Sequence, residues 1–196
     1  MKAIITGCAN SGTRWINNLL CAQGVFSKHE YAINPWRCDY TAIHDVEVSW
    51  LAAAWPMHCK NRYDIKRYHI VRHPLKVAAT LRDNHVLRHR NGNDYGEFIS
   101  SAMHVDVFNN EFAELDYWLW WNTNYNFKAY RVDNLEDMNS LMEEIGVLLG
   151  RKLFCSIEQI PKESSRIAYD LTNYPKLDEL RVVARSYGYD LEETIR

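Results

Sequence analysis

Residues able to hold an anion lie at the start of the chain. In Ala3-Ile4-Ile5-Thr6-Gly7-Cys8-Ala9-Asn10-Ser11-Gly12-Thr13-Arg14-Trp15, an apolar run enters a turn bounded by Gly7 and Gly12. Ile16-Asn17-Asn18-Leu19-Leu20 then continues with the apolar spacing of a helix. Strand, glycine-bounded loop and helix start together make a phosphate cradle. The glycines let backbone N–H groups approach the anion, and the helix N-terminus adds partial positive charge. Downstream, Arg72 precedes His73-Pro74, and Thr80 follows eight residues after the arginine, about two helical turns along. His29-Glu30 forms a third polar feature, at the end of a short apolar-polar alternation.

The loop is close to G-x-x-x-x-G-K-[ST], the phosphate-binding loop of ATP- and GTP-using proteins, but Thr13 occupies the lysine position. That chemistry also needs Mg²⁺ to neutralise a polyphosphate. Thr13 at that position leaves open which kind of phosphate compound the loop would hold.

The elements that must position these groups follow from local pattern. The first helix is predicted from Thr13 to Gln23, ended by Gly24, and Val25–Glu30 reads as a second strand. Val48–Trp55 reads as a short helix stopped by Pro56. Ile65–Arg72 is the next strand, and Pro74 opens a helix carrying Leu75, Val77, Ala78, Ala79 and Leu81. Asn91–Asp94 is a turn, and a long aromatic helix is predicted over Asp106–Asn126. Ala129–Asp133 reads as a strand, Leu135–Leu149 as an amphipathic helix ending at Gly150, and Lys176–Tyr187 as a helix ended by Gly188. Strands alternating with helices imply an α/β fold with a mainly parallel sheet, and ligands in such sheets bind beyond the strands' carboxyl ends. Gly7, His29-Glu30 and Arg72 all fall at such ends.

Composition narrows the function classes. A length of 196 residues without linkers or repeats predicts one domain spanning 1–196. The formal net charge of −2 argues against general nucleic-acid binding, so an anionic ligand needs a local cluster. Cys8, Cys21, Cys38, Cys59 and Cys155 are scattered with no C-x-x-C pair, which predicts reduced thiols, no metal site and a cytoplasmic protein. No apolar run has the length of a membrane span. Trp118, Trp120 and Trp121 have the helical spacing of core residues, whereas Trp36, Tyr40, Trp50 and Trp55 are candidates for an acceptor pocket. Arg82, His85, Arg88, His89 and Arg90 form a basic run expected to be a solvated face, with attraction of an anionic glycan as the lesser reading.

Taken together, Ser11-Gly12-Thr13-Arg14-Trp15 and Arg72-His73-Pro74-Leu75-Lys76-Val77-Ala78-Ala79-Thr80 resemble the two signature motifs of the sulfotransferases that use 3′-phosphoadenosine 5′-phosphosulfate (PAPS). The family pattern is S-G-T-x-W, followed by R-x-P-x-x-V-x-x-S. The resemblance continues through His29-Glu30, Val48-Ser49-Trp50, Trp121-Asn122 and Tyr130–Asp133. It implies a three-layer α/β/α fold related to the P-loop NTPases. It also implies transfer of a sulfuryl group, without a metal, to a hydroxyl or amine of a small molecule or glycan.

By the same resemblance, Ser11, Gly12, Thr13 and Arg14 line the 5′-phosphate, with Asn10 beside them as a further binding residue, Trp15 packs near the adenine, and Arg72 with Thr80 takes the 3′-phosphate. The family usually has Lys or Arg just before S-G-T, and Asn10 stands there. Asn donates a hydrogen bond but supplies no charge, so either Arg14 takes over the electrostatic role or turnover is slow or absent. The family's C-terminal R-K-G-x-x-G element is also missing, with Lys162 and Arg166 as substitutes. The acceptor must lose a proton as the new S–O bond forms, which calls for His or Glu within hydrogen-bond reach. Glu30 is the first candidate base, His29 the second and His44 the third. Two other functions fit parts of the pattern: a P-loop kinase of a small metabolite, and a catalytically silent adenine-nucleotide-binding protein.

Overall fold

The opening apolar run forms β1 (Ala3–Gly7), in which every residue is buried, as a central strand of a parallel sheet requires. The computed structural model describes residues 1–34, 37–38, 42–50, 65–87, 94–104, 106–124, 128–161 and 169–191. Trp36, Tyr40, Trp55, Pro56, Arg88, His89, Arg90, Lys162 and Arg166, and most of the predicted Asn91–Asp94 turn, lie outside the described residues. The chain divides into two units, Met1–Arg72 with Tyr125–Glu163, and His73–Asn124 with Ser164–Arg196.

The first unit contains β1, α1 (Thr13–Ala22), β2 (Ser27–His29), β3 (Ile33–Asn34), β4 (Arg37–Cys38), β5 (Val46–Val48), β6 (Lys66–Val71), β7 (Ala129–Arg131) and α5 (Leu135–Leu149). Five strands form one all-parallel sheet in the order β2-β5-β1-β6-β7, and β3 and β4 pair separately as an antiparallel ribbon. The fold class is α/β, as the alternating pattern predicts. Ile5 lies opposite Val48 on one side and Tyr68 on the other, which fixes β1 in the middle. Ile16, Leu19 and Leu20 of α1 and Met138, Leu141, Met142 and Ile145 of α5 pack with Ala3, Ile5, Val46, Val48 and Ile70 in one core. The connections from β1 run to one side through β2 and β5 and to the other through β6. The crevice beyond β1 is therefore the switch point at which such sheets bind ligands.

Among the described residues, the second unit contains α2 (Pro74–Asp83), α3 (Asp94–Met103), α4 (Ala113–Thr123) and α6 (Leu177–Ser186). His73 Nδ1 accepts the Leu75 N–H at 3.3 Å and caps α2, with Pro74 in the first turn where its missing donor costs nothing. Trp118 and Trp121 are fully buried and Trp120 half-buried, in keeping with a packing role. Two carboxylates in the first turn of α4 anchor the C-terminal segment. Glu114 accepts from the Tyr169 hydroxyl at 3.1 Å and Asp116 from that of Tyr174 at 2.9 Å.

Three predicted elements need correction. Val48 ends a strand, β5, rather than beginning a helix, and 51–64 lie outside the described residues. The helix predicted over 106–126 is confined to Ala113–Thr123. Asp106 and Asn110 instead accept the backbone N–H groups of Phe108, Asn109 and Phe112, local bonds that compete with a helix. The second strand is shorter than 25–30, because Glu30 has a φ of 52° and leaves the extended region. By contrast α5 has the predicted limits. Asn134 accepts the Asp137 N–H at 2.9 Å at one end, and Gly150 closes the other.

Candidate functional site

The cradle begins where β1 ends. Gly7 allows a close approach that no other residue permits: a Cβ there would lie 2.6 Å from the Ile70 carbonyl oxygen and 2.5 Å from Ser11 Oγ. The loop then folds tightly, with Ser11 N–H donating to Cys8 O at 2.9 Å and Asn10 in the left-handed region at φ 62°. Gly12 precedes α1 at φ 107°, a conformation that L side chains rarely adopt. No side chain among the described residues caps α1 and its first turn has no acidic residue, which leaves its N-terminal N–H groups and positive end facing an anion site.

Two polar atoms in this loop are buried without a hydrogen-bond partner among the described residues: Asn10 Nδ2 and Ser11 Oγ. A buried donor left unsatisfied costs about 1–3 kcal/mol, so a native loop with two such groups is better satisfied with an oxygen-rich ligand against it. Arg72, half-buried just past the end of β6, brings a cation to the same loop, its Nη1 donating to Asn10 O at 3.4 Å. Thr80 belongs to the second unit, where its hydroxyl donates to Lys76 O at 2.7 Å within α2. Trp15 is partly buried and packs against the core that α1 shares with the sheet.

The candidate bases stand beside the cradle. His29 Nε2 shares a hydrogen bond with Thr13 Oγ1 at 3.1 Å and lies 3.4 Å from Glu30 Oε1. Burial, reinforced by the exposed Arg14 guanidinium, pushes the His29 pKa down to about 4, so its imidazole is neutral at neutral pH. Burial pushes the Glu30 carboxyl upward, against the opposing pull of Arg14 and of a hydrogen bond from Trp50. The structure thus brings together Asn10, Ser11, Gly12, Thr13, Arg14, His29, Glu30 and Arg72 around one loop of the first unit.

One carboxylate in this region escaped sequence reasoning. Glu47, fully buried in β5, accepts at Oε1 from the N–H groups of Tyr31 (2.8 Å), Ala32 (3.0 Å) and Ile33 (3.2 Å). Its Oε2 lies 2.6 Å from Nε2 of the buried His44, which removes His44 from consideration as the base. Burial pushes the Glu47 pKa up to about 7, the three backbone bonds opposing that rise and the Glu30 carboxylate adding to it. The available signal was a lone charge inside the apolar run Val46-Glu47-Val48.

Among the described residues, no group of three or more His, Cys, Asp or Glu side chains is arranged to hold a metal ion. Likewise no helix among them is long and apolar enough to cross a membrane. No family model, curated protein or solved structure gives a significant match to this chain.

Proposed function

We propose that this chain is a sulfotransferase that moves a sulfuryl group from PAPS to an acceptor hydroxyl or amine in the cytoplasm. The observation that carries this reading is the pair of unpartnered buried polar atoms, Asn10 Nδ2 and Ser11 Oγ, beside the uncapped start of α1. They suit the oxygens of a phosphate. Thr13, where a kinase has lysine, suits a donor whose transferred group carries less charge than a phosphoryl group.

In this account the acceptor oxygen attacks sulfur and forms a new S–O bond as the S–O bond to the 5′-phosphate breaks. The acceptor proton passes to Glu30, and the electron pair of the broken bond leaves with the phosphate of adenosine 3′,5′-bisphosphate. Loop N–H groups, Asn10 Nδ2 and the Arg14 guanidinium stabilise that developing charge, which is the main catalytic contribution such a site makes. Glu30 is the better base because burial moves its carboxyl toward the operating pH, whereas His29 is a weak base already engaged by Thr13. The acceptor is a small molecule or a carbohydrate. A second reading, a nucleotide-binding protein without turnover, is favoured by Asn10, which gives the leaving group a hydrogen bond but no charge.

Arg72 tests the donor assignment. If it reads the 3′-phosphate, Arg72→Ala weakens adenosine 3′,5′-bisphosphate by about 10–100-fold, the value of a charge-assisted hydrogen bond, and changes adenosine 5′-phosphate by less than about twofold. Titration calorimetry with both nucleotides measures the difference. Equal losses would assign Arg72 to holding the Asn10 carbonyl rather than to the ligand.

A further inference from the structure

Four consecutive residues of the β5 region hold the turn that carries Glu30. Glu30 N–H donates to Val48 O at 3.1 Å. The N–H groups of Tyr31, Ala32 and Ile33 donate to Glu47 Oε1. Ser49 Oγ donates to Ile33 O at 2.9 Å, and Trp50 reaches the Glu30 carboxylate itself. Ser49 N–H in turn donates to Ile5 O at 3.0 Å, which ties this receiver to β1 and hence to the strand that launches the cradle. Glu30 needs such support. Its φ of 52° is an uncommon conformation for a non-glycine residue and persists only where the surroundings over-determine it.

We propose that Glu47 is the positioning residue for Glu30: by gathering the three N–H groups that follow it, Glu47 fixes the turn that aims the Glu30 carboxylate at Trp50 and the cradle. The use made of Glu30 rests on the sulfotransferase reading, but the clamp itself does not. A single carboxylate oxygen on three successive N–H groups is a strong, direction-setting arrangement, comparable to a backbone nest holding an anion. His44 Nε2 stands 2.6 Å from the other oxygen, and the rings of Phe26 and Tyr31 stand edge-on to the His44 ring at 6.3 and 5.9 Å between centroids. Glu47 is fully buried, so its part is to position and not to contact a substrate.

The test is NMR on the whole chain, using the Trp50 indole N–H as a reporter of the Glu30 carboxylate, with Glu30→Gln to mark the signal when that carboxylate is removed. Glu47→Ala is expected to speed amide exchange at Tyr31, Ala32 and Ile33 by about 100-fold or more, since those donors lose their acceptor. The Trp50 signal should move toward its Glu30→Gln position. Glu47→Gln, which keeps an acceptor oxygen in place, should restore both readouts. If Glu47→Ala fails to fold, Glu47→Asp, which withdraws the acceptor by one methylene, should shift both in the same direction. An unmoved Trp50 signal despite faster exchange at 31–33 would overturn the proposal, because Glu47 would then hold the loop without positioning Glu30. Unchanged exchange would overturn it as well. Binding of adenosine 3′,5′-bisphosphate to the unmodified chain is measured in parallel. Its absence would end the sulfotransferase reading and leave these resonances to decide the clamp.

Discussion

Glu30→Gln is expected to slow sulfuryl transfer by about 10²–10⁴-fold, the usual contribution of a positioned general base. The substitution keeps the size of the side chain and an oxygen for Trp50 but removes the proton acceptor. Binding of adenosine 3′,5′-bisphosphate should stay within about threefold, because the base acts on the acceptor and not on the phosphates. The pH profile supplies a second check. Burial raises the Glu30 pKa, so transfer by the unmodified chain should gain rate as pH rises through a value above the ordinary carboxylate range. Glu30→Gln should remove that limb. Transfer from labelled PAPS to a mixed panel of acceptors measures both, and full rate in Glu30→Gln would remove Glu30 as the base.

Gly7→Ala carries the largest expected effect on stability. The added Cβ would meet the Ile70 carbonyl oxygen at 2.6 Å, and that oxygen belongs to the neighbouring strand β6 and cannot swing away. Its other close neighbour, Ser11 Oγ at 2.5 Å, moves only if the cradle moves. Overpacking of this kind costs about 1–3 kcal/mol. For a chain of this length that lowers the melting temperature by about 2–10 °C. If Ser11 lines the proposed anion site, bisphosphate affinity should fall together with stability. A melting curve within about 1 °C of the parent would contradict the close packing of β1, β6 and the loop.

The parts of this fold that were legible in the sequence are those decided by local chemistry. Gly7 and Gly12 bound the loop, Pro74 opens α2, and the limits of α5 follow from its apolar period and Gly150. Each is a backbone preference that acts within a few residues. The parts that were not legible depend on partners far along the chain. β5 has three residues with a carboxylate in the middle, and only the sheet between β1 and β2 makes it a strand. Glu47 acquires its role from N–H groups 14 to 16 residues earlier, which no local pattern announces. The helix predicted to begin at Asp106 starts at Ala113 because Asp106 and Asn110 bond backbone groups ahead of them, a competition that hydrophobic spacing does not register.

The candidate site divides in the same way. Its motif residues in the first unit were expected from the glycine-bounded loop and from the family resemblance, and the structure groups the loop, His29, Glu30 and Arg72 as their positions at strand ends predict. The protonation behaviour was not readable. The low pKa of His29 comes from burial and from Arg14, and it adds a physical reason to the ranking of Glu30 ahead of His29 that the sequence already suggested.

The sulfotransferase proposal requires the loop from Gly7 to Arg14 to hold a 3′-phosphorylated adenosine nucleotide without a metal. The direct measurement is the melting temperature of the unmodified chain with adenosine 3′,5′-bisphosphate, compared with ATP plus Mg²⁺. A ligand at about 100 times its Kd stabilises the native state by about 2.7 kcal/mol, so the bisphosphate should raise the melting temperature by about 5–10 °C with or without EDTA. ATP with Mg²⁺ should give a smaller rise. Stabilisation by ATP and Mg²⁺ alone would contradict the sulfotransferase account and favour a kinase.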